Sequence, residues 1–253
     1  MSTRDAKEKL CLALDVDSLS EAKKIVKSLK DYVGIFKIGF QLFTKEGPKA
    51  VEAIKNIGGK VFLDLKFHDI PNTVAGAAKM ATRLGVYMFN VHAAGGSEMM
   101  RAAVEAVKEE SQKSSVSEPI VLAVTVLTSI NDEILSKELR VNYDVRDQVV
   151  HLAKLTQSSK VHGVVASPKE ITHIRKRCGD DFIILTPGIR PSWSAGKDDQ
   201  KRITTPGDAI RLGANYIVVG RPILKAERPV EAAKNIVQEI AQSDNPSFFG
   251  KHK

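Results

Sequence analysis

Short apolar runs alternate with amphipathic helical stretches about eight times along the chain, and this alternation limits the fold more than any other feature. The candidate strands are Leu10–Asp15, Ile35–Gly39, Lys60–Lys66, Val86–His92, Ile120–Leu127, Gly163–Ser167, Phe182–Pro187 and Tyr216–Gly220. After the first strand, Ser18 and Glu21 have the spacing of a capping box. Ala22, Ile25, Val26, Leu29 and Val33 then recur on one helical face. Ala233, Ile236, Val237 and Ile240 repeat that pattern behind Pro229, a suitable first-turn proline. Strand–helix alternation of this kind predicts parallel strands joined by right-handed crossovers.

Eight such units can close into a barrel or stay open as a doubly wound sheet. Polar residues decide between the two. Asp15, Lys37, Asp64, Lys66, His92, Thr128, Ser167, Gly188 and Gly220 stand at or near the C-terminal ends of different candidate strands. A barrel gathers its active site from many strands at that rim, whereas an open sheet concentrates chemistry at one switch point. No Gly-x-Gly-x-x-Gly follows the first strand. The expected architecture is therefore an α/β fold, one (β/α)8 TIM barrel spanning residues 1–253, with short flexible tails at about 1–8 and 243–253.

A chain of 253 residues with 43% hydrophobic content can bury a full core. The net charge of +8 invites a nucleic-acid reading, but 38 basic residues are scattered among 30 acidic ones without a basic–aromatic stripe. The pattern suits a solvated basic surface that favours small anions, and no nucleic-acid partner is expected. No apolar run approaches the roughly 20 residues that span a bilayer. Residues 1–9 lack the apolar core of a secretory signal. Cys11 and Cys178 match no metal or redox spacing, and Cys11 reads as a small core residue. A cytoplasmic protein with no membrane partner is expected.

The segment Lys60–Thr73, KVFLDLKFHDIPNT, carries the most chemistry. Strand alternation puts Phe62, Asp64 and Lys66 on one face and Leu63 and Leu65 on the other. Charges facing a closed interior are costly unless paired. Asp69 follows beyond the strand, Asp15 ends the first strand, and Lys37 lies within the second. Three carboxylates and two ammonium groups thus converge on one barrel mouth. A structural ion-pair network would also explain them. Assembly from three strands at the catalytic rim favours a working site.

DLKFHDIPNT resembles the signature of the orotidine 5′-phosphate decarboxylases, in their shorter bacterial form. The likeness runs through nearly the whole chain, with LALD, FKIG, NVHAAGG, LTS, TPGIRP, DDQKR and VGRPI in order. It implies cofactor-independent, metal-free decarboxylation of orotidine 5′-phosphate (OMP) to UMP, the last step of de novo pyrimidine synthesis. Lys66 would be the cation and proton donor at C6 of the orotate ring, fixed in place by Asp64, Asp69 and Lys37. Asp64 would lie near the departing carboxylate. The resemblance also implies a homodimer in which Asp69 and Thr73 reach into the partner's site. Asp15 with Lys37 would hold the ribose hydroxyls, and Thr128 the pyrimidine. Ile70 and Pro187 would be further substrate contacts, while Gln200 would bridge a lid and the ligand.

The phosphate needs fixed donors. Gly188 and Gly220 allow close backbone approach, and Arg190 and Arg221 supply planar charged forks. Their place after strands seven and eight matches the usual barrel phosphate site. A short helix near Pro222 is expected to aim its amides at the same anion. Two connections are long: Ser129–Asp144, expected to hold a short helix, and Gly188–Thr205, expected to act as a lid. Trp193 is read as a packing residue of that lid, and His92 as a structural histidine bonding the end of strand four. His68, His92 and Asp64 could form a two-His, one-carboxylate set, but Lys37 and Lys66 put positive charge where the metal would sit. Two other readings stay open. One is a Mg-dependent phosphosugar decarboxylase or aldolase on a related barrel, whose second strand carries an acidic residue where this chain has Lys37. The other is a non-enzymatic phosphate-ligand or nucleic-acid-binding barrel.

Overall fold

The computed structural model of the chain describes residues 1–194 and 204–243. Among these, eight parallel strands close into a barrel in sequence order. They are β1 (Leu10–Ala13), β2 (Ile35–Ile38), β3 (Lys60–Phe67), β4 (Met88–His92), β5 (Ile120–Val124), β6 (Gly163–Val165), β7 (Ile183–Thr186) and β8 (Tyr216–Val219). β8 pairs back onto β1, with Leu10 opposite Ile217. Closure leaves no open sheet edge and rules out the doubly wound alternative.

The helices of the outer ring are α1 (Thr3–Glu8), α2 (Leu19–Leu29), α3 (Phe40–Glu46), α4 (Pro48–Lys55), α5 (Pro71–Arg83), α6 (Gly96–Ser114), α7 (Val145–Ser158), α8 (Ile171–Cys178), α9 (Pro206–Arg211), α10 (Arg221–Leu224) and α11 (Pro229–Gln242). The hydroxyl of Ser18 accepts the Glu21 N–H and starts α2, as the spacing predicts. α2 ends at Leu29, so Val33 lies beyond the helix although it is buried. In the long connection after β5, residues Ile134–Glu138 form a single π-helical turn pinned by buried Leu135. Among the described residues no helix is long and apolar enough to cross a membrane.

Residues 1–8 differ from the expected flexible tail. Thr3–Glu8 is helical because Ser2 caps it by accepting the Asp5 N–H, and because Ala6 is fully buried. The carbonyl of Lys7 accepts the Gly34 N–H at 3.0 Å, and Glu8 pairs with Lys60 at 2.6 Å. The segment is thereby fastened to the N-terminal ends of β2 and β3.

Side-chain alternation divides the core into two layers. The outer layer, between sheet and helices, holds Leu12, Phe36, Ile38, Leu63 and Phe89 among many others. The lumen holds Cys11, Ala13, Ile35, Phe62, Met88, Leu122, Leu185 and Val218. At the lower end of the lumen the Tyr87 and Tyr216 hydroxyls meet at 3.2 Å, and the Lys60 ammonium lies 5.2 Å from the Tyr87 ring centre. The lumen is therefore filled below the level of Asp64, and the site can open only at the C-terminal face.

Phe89 is fully buried in the outer layer, with its ring 5.7 Å from that of Phe67. Phe89→Ala should cost about 3–5 kcal/mol through lost transfer energy and the cavity it leaves. Urea unfolding at neutral pH measures this, and a loss below about 1 kcal/mol would mean the layer collapses into the gap.

Candidate active site

β2 and β3 deliver the central charges. The Asp64 carboxylate lies between two ammonium groups: Oδ1 is 2.7 Å from Lys66 Nζ, and Oδ2 is 3.3 Å from Lys37 Nζ. Lys37 also reaches Asp15 Oδ1 at 3.4 Å, just beyond the end of β1. The side chains of Lys37 and Asp64 are only 12% and 13% exposed, while Asp15 is open to solvent. Gly39 gives this cluster its room, since a Cβ there would stand 2.9 Å from Lys37 Nζ.

Burial alone would push the Asp64 carboxyl up. The charges of Lys37 and Lys66, with hydrogen bonds from Lys66 and Asn90, outweigh burial and hold it below the usual carboxylate range. Burial likewise pulls Lys37 down, but Asp64 and Asp15 together raise it above the ordinary lysine value. Cys11, fully buried in the lumen near this cluster, has its thiol pushed up by burial and is no nucleophile.

Strand alternation predicts Lys66 on the face of Asp64, and the structure brings the two together by a different route. Leu63 pairs with Phe89, but Phe67 pairs with Val91, so β3 bulges between them. Lys66 occupies the left-handed region with φ 46°. A non-glycine residue there carries about 1–3 kcal/mol of strain, which collects where function requires it.

Two connected cavities open above the cluster. The larger, about 850 Å³, is lined by Asp15, Lys37, Gly188, Arg190, Gly220 and Arg221. The smaller, about 200 Å³, is lined by Phe62, Asp64, Lys66, Leu127, Thr128 and Val165. Lys37, Pro187 and Val218 belong to both. Gly188 has φ +78°, a backbone that side chains other than glycine's rarely adopt.

Other expected residues fall elsewhere. The Asp69 carboxylate accepts its neighbour's Ile70 N–H at 2.7 Å and forms no ion pair with Lys66 within the described chain. Asp69, Ile70 and Thr73 all lie exposed where β3 leads into α5, Ile70 at 68%. The helix after β8 spans only Arg221–Leu224. Pro222 has no N–H, and the Ile223 and Leu224 amides turn back onto the Gly220 carbonyl. It is therefore too short to direct a row of amides at an anion, whereas Arg190 and Arg221 both line the larger cavity. Trp193, expected to be packed, is half-exposed and lines the larger cavity. Gln200 and the DDQKR stretch of the expected lid lie outside the described residues.

The chain matches the model of the orotidine 5′-phosphate decarboxylase / HUMPS family over residues 8–236. It belongs to that family. A curated orotidine 5′-phosphate decarboxylase of Syntrophomonas wolfei is 55% identical over 94% of this chain and 99% of its own length. One from Moorella thermoacetica is 51% identical over 93% of each. The crystal structure of orotidine 5′-phosphate decarboxylase from Lactobacillus acidophilus superposes with a TM-score of 0.81 at 38% identity, covering 91% of this chain and 98% of that one.

In this member of the decarboxylase family, Asn90 and Phe40 join the site without having been expected there. The Asn90 amide contacts both Asp64 and the Lys66 backbone, at 2.7 and 2.8 Å. Phe40, the first residue of α3, puts its ring centre 5.5 Å from Lys66 Nζ. The register of β4 could have revealed Asn90, because it falls between lumen-facing Met88 and His92. His92 forms no side-chain hydrogen bond among the described residues. Its ring lies 5.3 Å from that of His68, and burial, with the nearby His68 and Lys66, pulls its pKa down. No group of three His, Cys, Asp or Glu side chains among the described residues is placed to hold a metal. Both Asp64 oxygens already face ammonium groups.

Asp64→Ala should cost about 3 kcal/mol at neutral pH, because it strands Lys37 in a buried site. Without its main anion, Lys37 would have a folded-state pKa below its unfolded value. The deficit should then shrink as pH rises toward the ordinary lysine value. Denaturant unfolding from pH 7 to 10 checks this, and a pH-independent deficit would contradict it.

Proposed function

We propose that the chain is a metal-independent orotidine 5′-phosphate decarboxylase that releases CO2 from OMP and yields UMP. The observation that carries this reading is the Lys37–Asp64–Lys66 array at the base of a small, largely apolar cavity continuous with an arginine-lined one. A nucleoside monophosphate has the matching order of parts. The pyrimidine fits the small lobe beside Thr128, Phe62 and Leu127. The ribose hydroxyls meet Asp15 and Lys37 in the middle. The phosphate meets Arg190 and Arg221, with Gly188, Gly220 and Pro187 shaping the wall. Gln200 is assigned to the substrate by resemblance alone.

In the proposed reaction the bond from C6 to the carboxylate carbon breaks, CO2 departs, and the electron pair stays on C6. Lys66 stabilises that developing charge and gives its proton to C6. Asp64 holds the ammonium in place and lies near the departing carboxylate. Water excluded from the lobe strengthens each of these interactions. Phosphate binding far from C6 supplies energy that can be used at the reacting carbon.

We further infer that the working unit is a homodimer. Asp69, Ile70 and Thr73 are exposed just beyond β3 and line neither cavity of their own chain, which fits residues that complete the site of a partner. Free, buried Cys11 and Cys178 fit a reducing cytoplasmic setting. The Mg-dependent phosphosugar alternative is disfavoured by Lys37, a cation on the strand where such an enzyme needs a carboxylate.

Loss of the orotate absorbance on incubation with OMP tests the activity, and it should be unchanged by EDTA. Lys66→Ala should lower kcat/KM by at least about 10³-fold, since proton delivery and charge stabilisation are removed together. A chelator-sensitive rate on OMP, or no turnover by folded wild type, would refute the assignment.

The dimer has its own test. Mixing inactive Lys66→Ala and Asp69→Ala proteins after subunit exchange should restore about a quarter of wild-type activity, because half the dimers are hybrids with one intact site. A mixture that stays inactive despite verified exchange would mean each site is built from one chain.

A further inference from the structure

We infer that Asn90 is the positioning residue of the Asp64–Lys66 pair, locking the bulged end of β3 so that the Lys66 ammonium points into the pyrimidine lobe. The inference rests on the decarboxylase reading above and extends it to a residue that never touches the substrate.

Asn90 lies on β4 and is 1% exposed. A buried amide on an apolar strand must be repaid by hydrogen bonds, and this one makes two that differ in kind. Its Nδ2 donates to Asp64 Oδ1 at 2.7 Å, and its Oδ1 accepts the Lys66 backbone N–H at 2.8 Å. The orientation of the amide is thereby forced, because an ionised carboxylate only accepts and a backbone N–H only donates. Asp64 Oδ1 also accepts from Lys66 Nζ at 2.7 Å, which closes the circuit. One amide thus ties the carboxylate, the backbone of the lysine and, through the carboxylate, the lysine's own charge.

The place of this circuit explains why it is needed. The regular ladder between β3 and β4 breaks between Leu63 and Phe67, and Lys66 sits at φ 46° inside that break. The Lys66 N–H therefore takes a side-chain partner, Asn90 Oδ1. An apolar residue at position 90 would leave that N–H without Asn90 and a strained backbone free to relax toward regular pairing. Relaxation would rotate Lys66 while leaving the ribose and phosphate ends of the site in place. Proton delivery to C6 should suffer, and ligand binding should not.

Asn90→Leu, of similar volume, should lower kcat about 100-fold, the cost of a misplacement near 1 Å, while UMP affinity stays at the wild-type level. Asn90 also favours the ionised form of Asp64, so its loss should move the acid limb of the kcat profile to higher pH. The other charged or titratable groups facing Asp64 are Lys37 on β2, Lys66 on β3, His92 on β4, and Cys11 and Asp15 from β1. None of them is altered in the variant. Asn90→Ser, whose hydroxyl can both donate and accept, should recover part of kcat and part of the pH shift. If Asn90→Leu does not fold, Asn90→Ser alone decides, with the same two displacements expected in smaller size. Wild-type kcat with an unmoved acid limb in a folded variant would overturn the inference. So would kcat and UMP affinity falling together. The Asp64 carboxyl, titrated by carbon NMR without ligand, should rise in pKa in either variant. That readout tests Asn90 even if the wild type fails to turn over OMP, a result that would sink only the functional reading.

Discussion

Three charges held together below the mouth of a barrel govern this structure. Asp64 alone in the lumen would be costly, and so would Lys37 or Lys66. Together they satisfy one another at 2.7 and 3.3 Å, and two neighbouring strands fix the spacing. The trio is useful because it is not neutral. One carboxylate between two ammonium groups leaves a net positive charge at the base of a lobe that is otherwise largely apolar. An anion entering there gains more than it would in water, because little solvent is present to screen it. The arginines above extend the same polarity along the path of an extended anionic ligand.

Closure of the sheet makes that arrangement possible. A flat sheet would bring β2 and β3 together but leave Arg190 and Arg221, which follow β7 and β8, at its far edge. Joining β8 to β1 brings them to the other side of the same opening. The basic surplus of the composition is thus spread over the surface, while its functional part is a handful of side chains that the topology sets facing each other.

Much of this could be read from the residues. The eightfold alternation and the polar residues ending different strands pointed to a barrel, and Asp15, Lys37, Asp64 and Lys66 do meet at its mouth. What escaped did so for physical reasons. α1 has six residues, too few to show a period, and its order comes from the Ser2 cap and the burial of Ala6. Alternation named Lys66 correctly but implied a regular strand, whereas the bulge is a property of pairing with β4 that β3 alone does not encode. Asn90 sits in an apolar run and has no charge to draw attention, yet the pleat had already put it on the lumen face. Trp193 looked like packing because nothing in a linear reading says which side of a loop meets solvent. The short helix near Pro222 is legible in the sequence, but the folding of its amides onto the Gly220 carbonyl is not. Asp69 and Thr73 belong to the signature segment, yet in the single chain they lie exposed and line neither cavity.

The filled lower lumen has a consequence for proton traffic. Below Asp64 the barrel is plugged by Phe62, Met88, Leu122 and Leu185, with Tyr87 and Tyr216 at the bottom. Among the described residues no hydrogen-bonded chain runs from Lys66 through that plug to the Tyr87–Tyr216 pair. A lysine that has given up its proton must therefore be recharged through the opening by which the ligand arrives and departs. Each turnover would then be gated twice at one doorway, with reloading of the acid obliged to wait until the nucleotide has left.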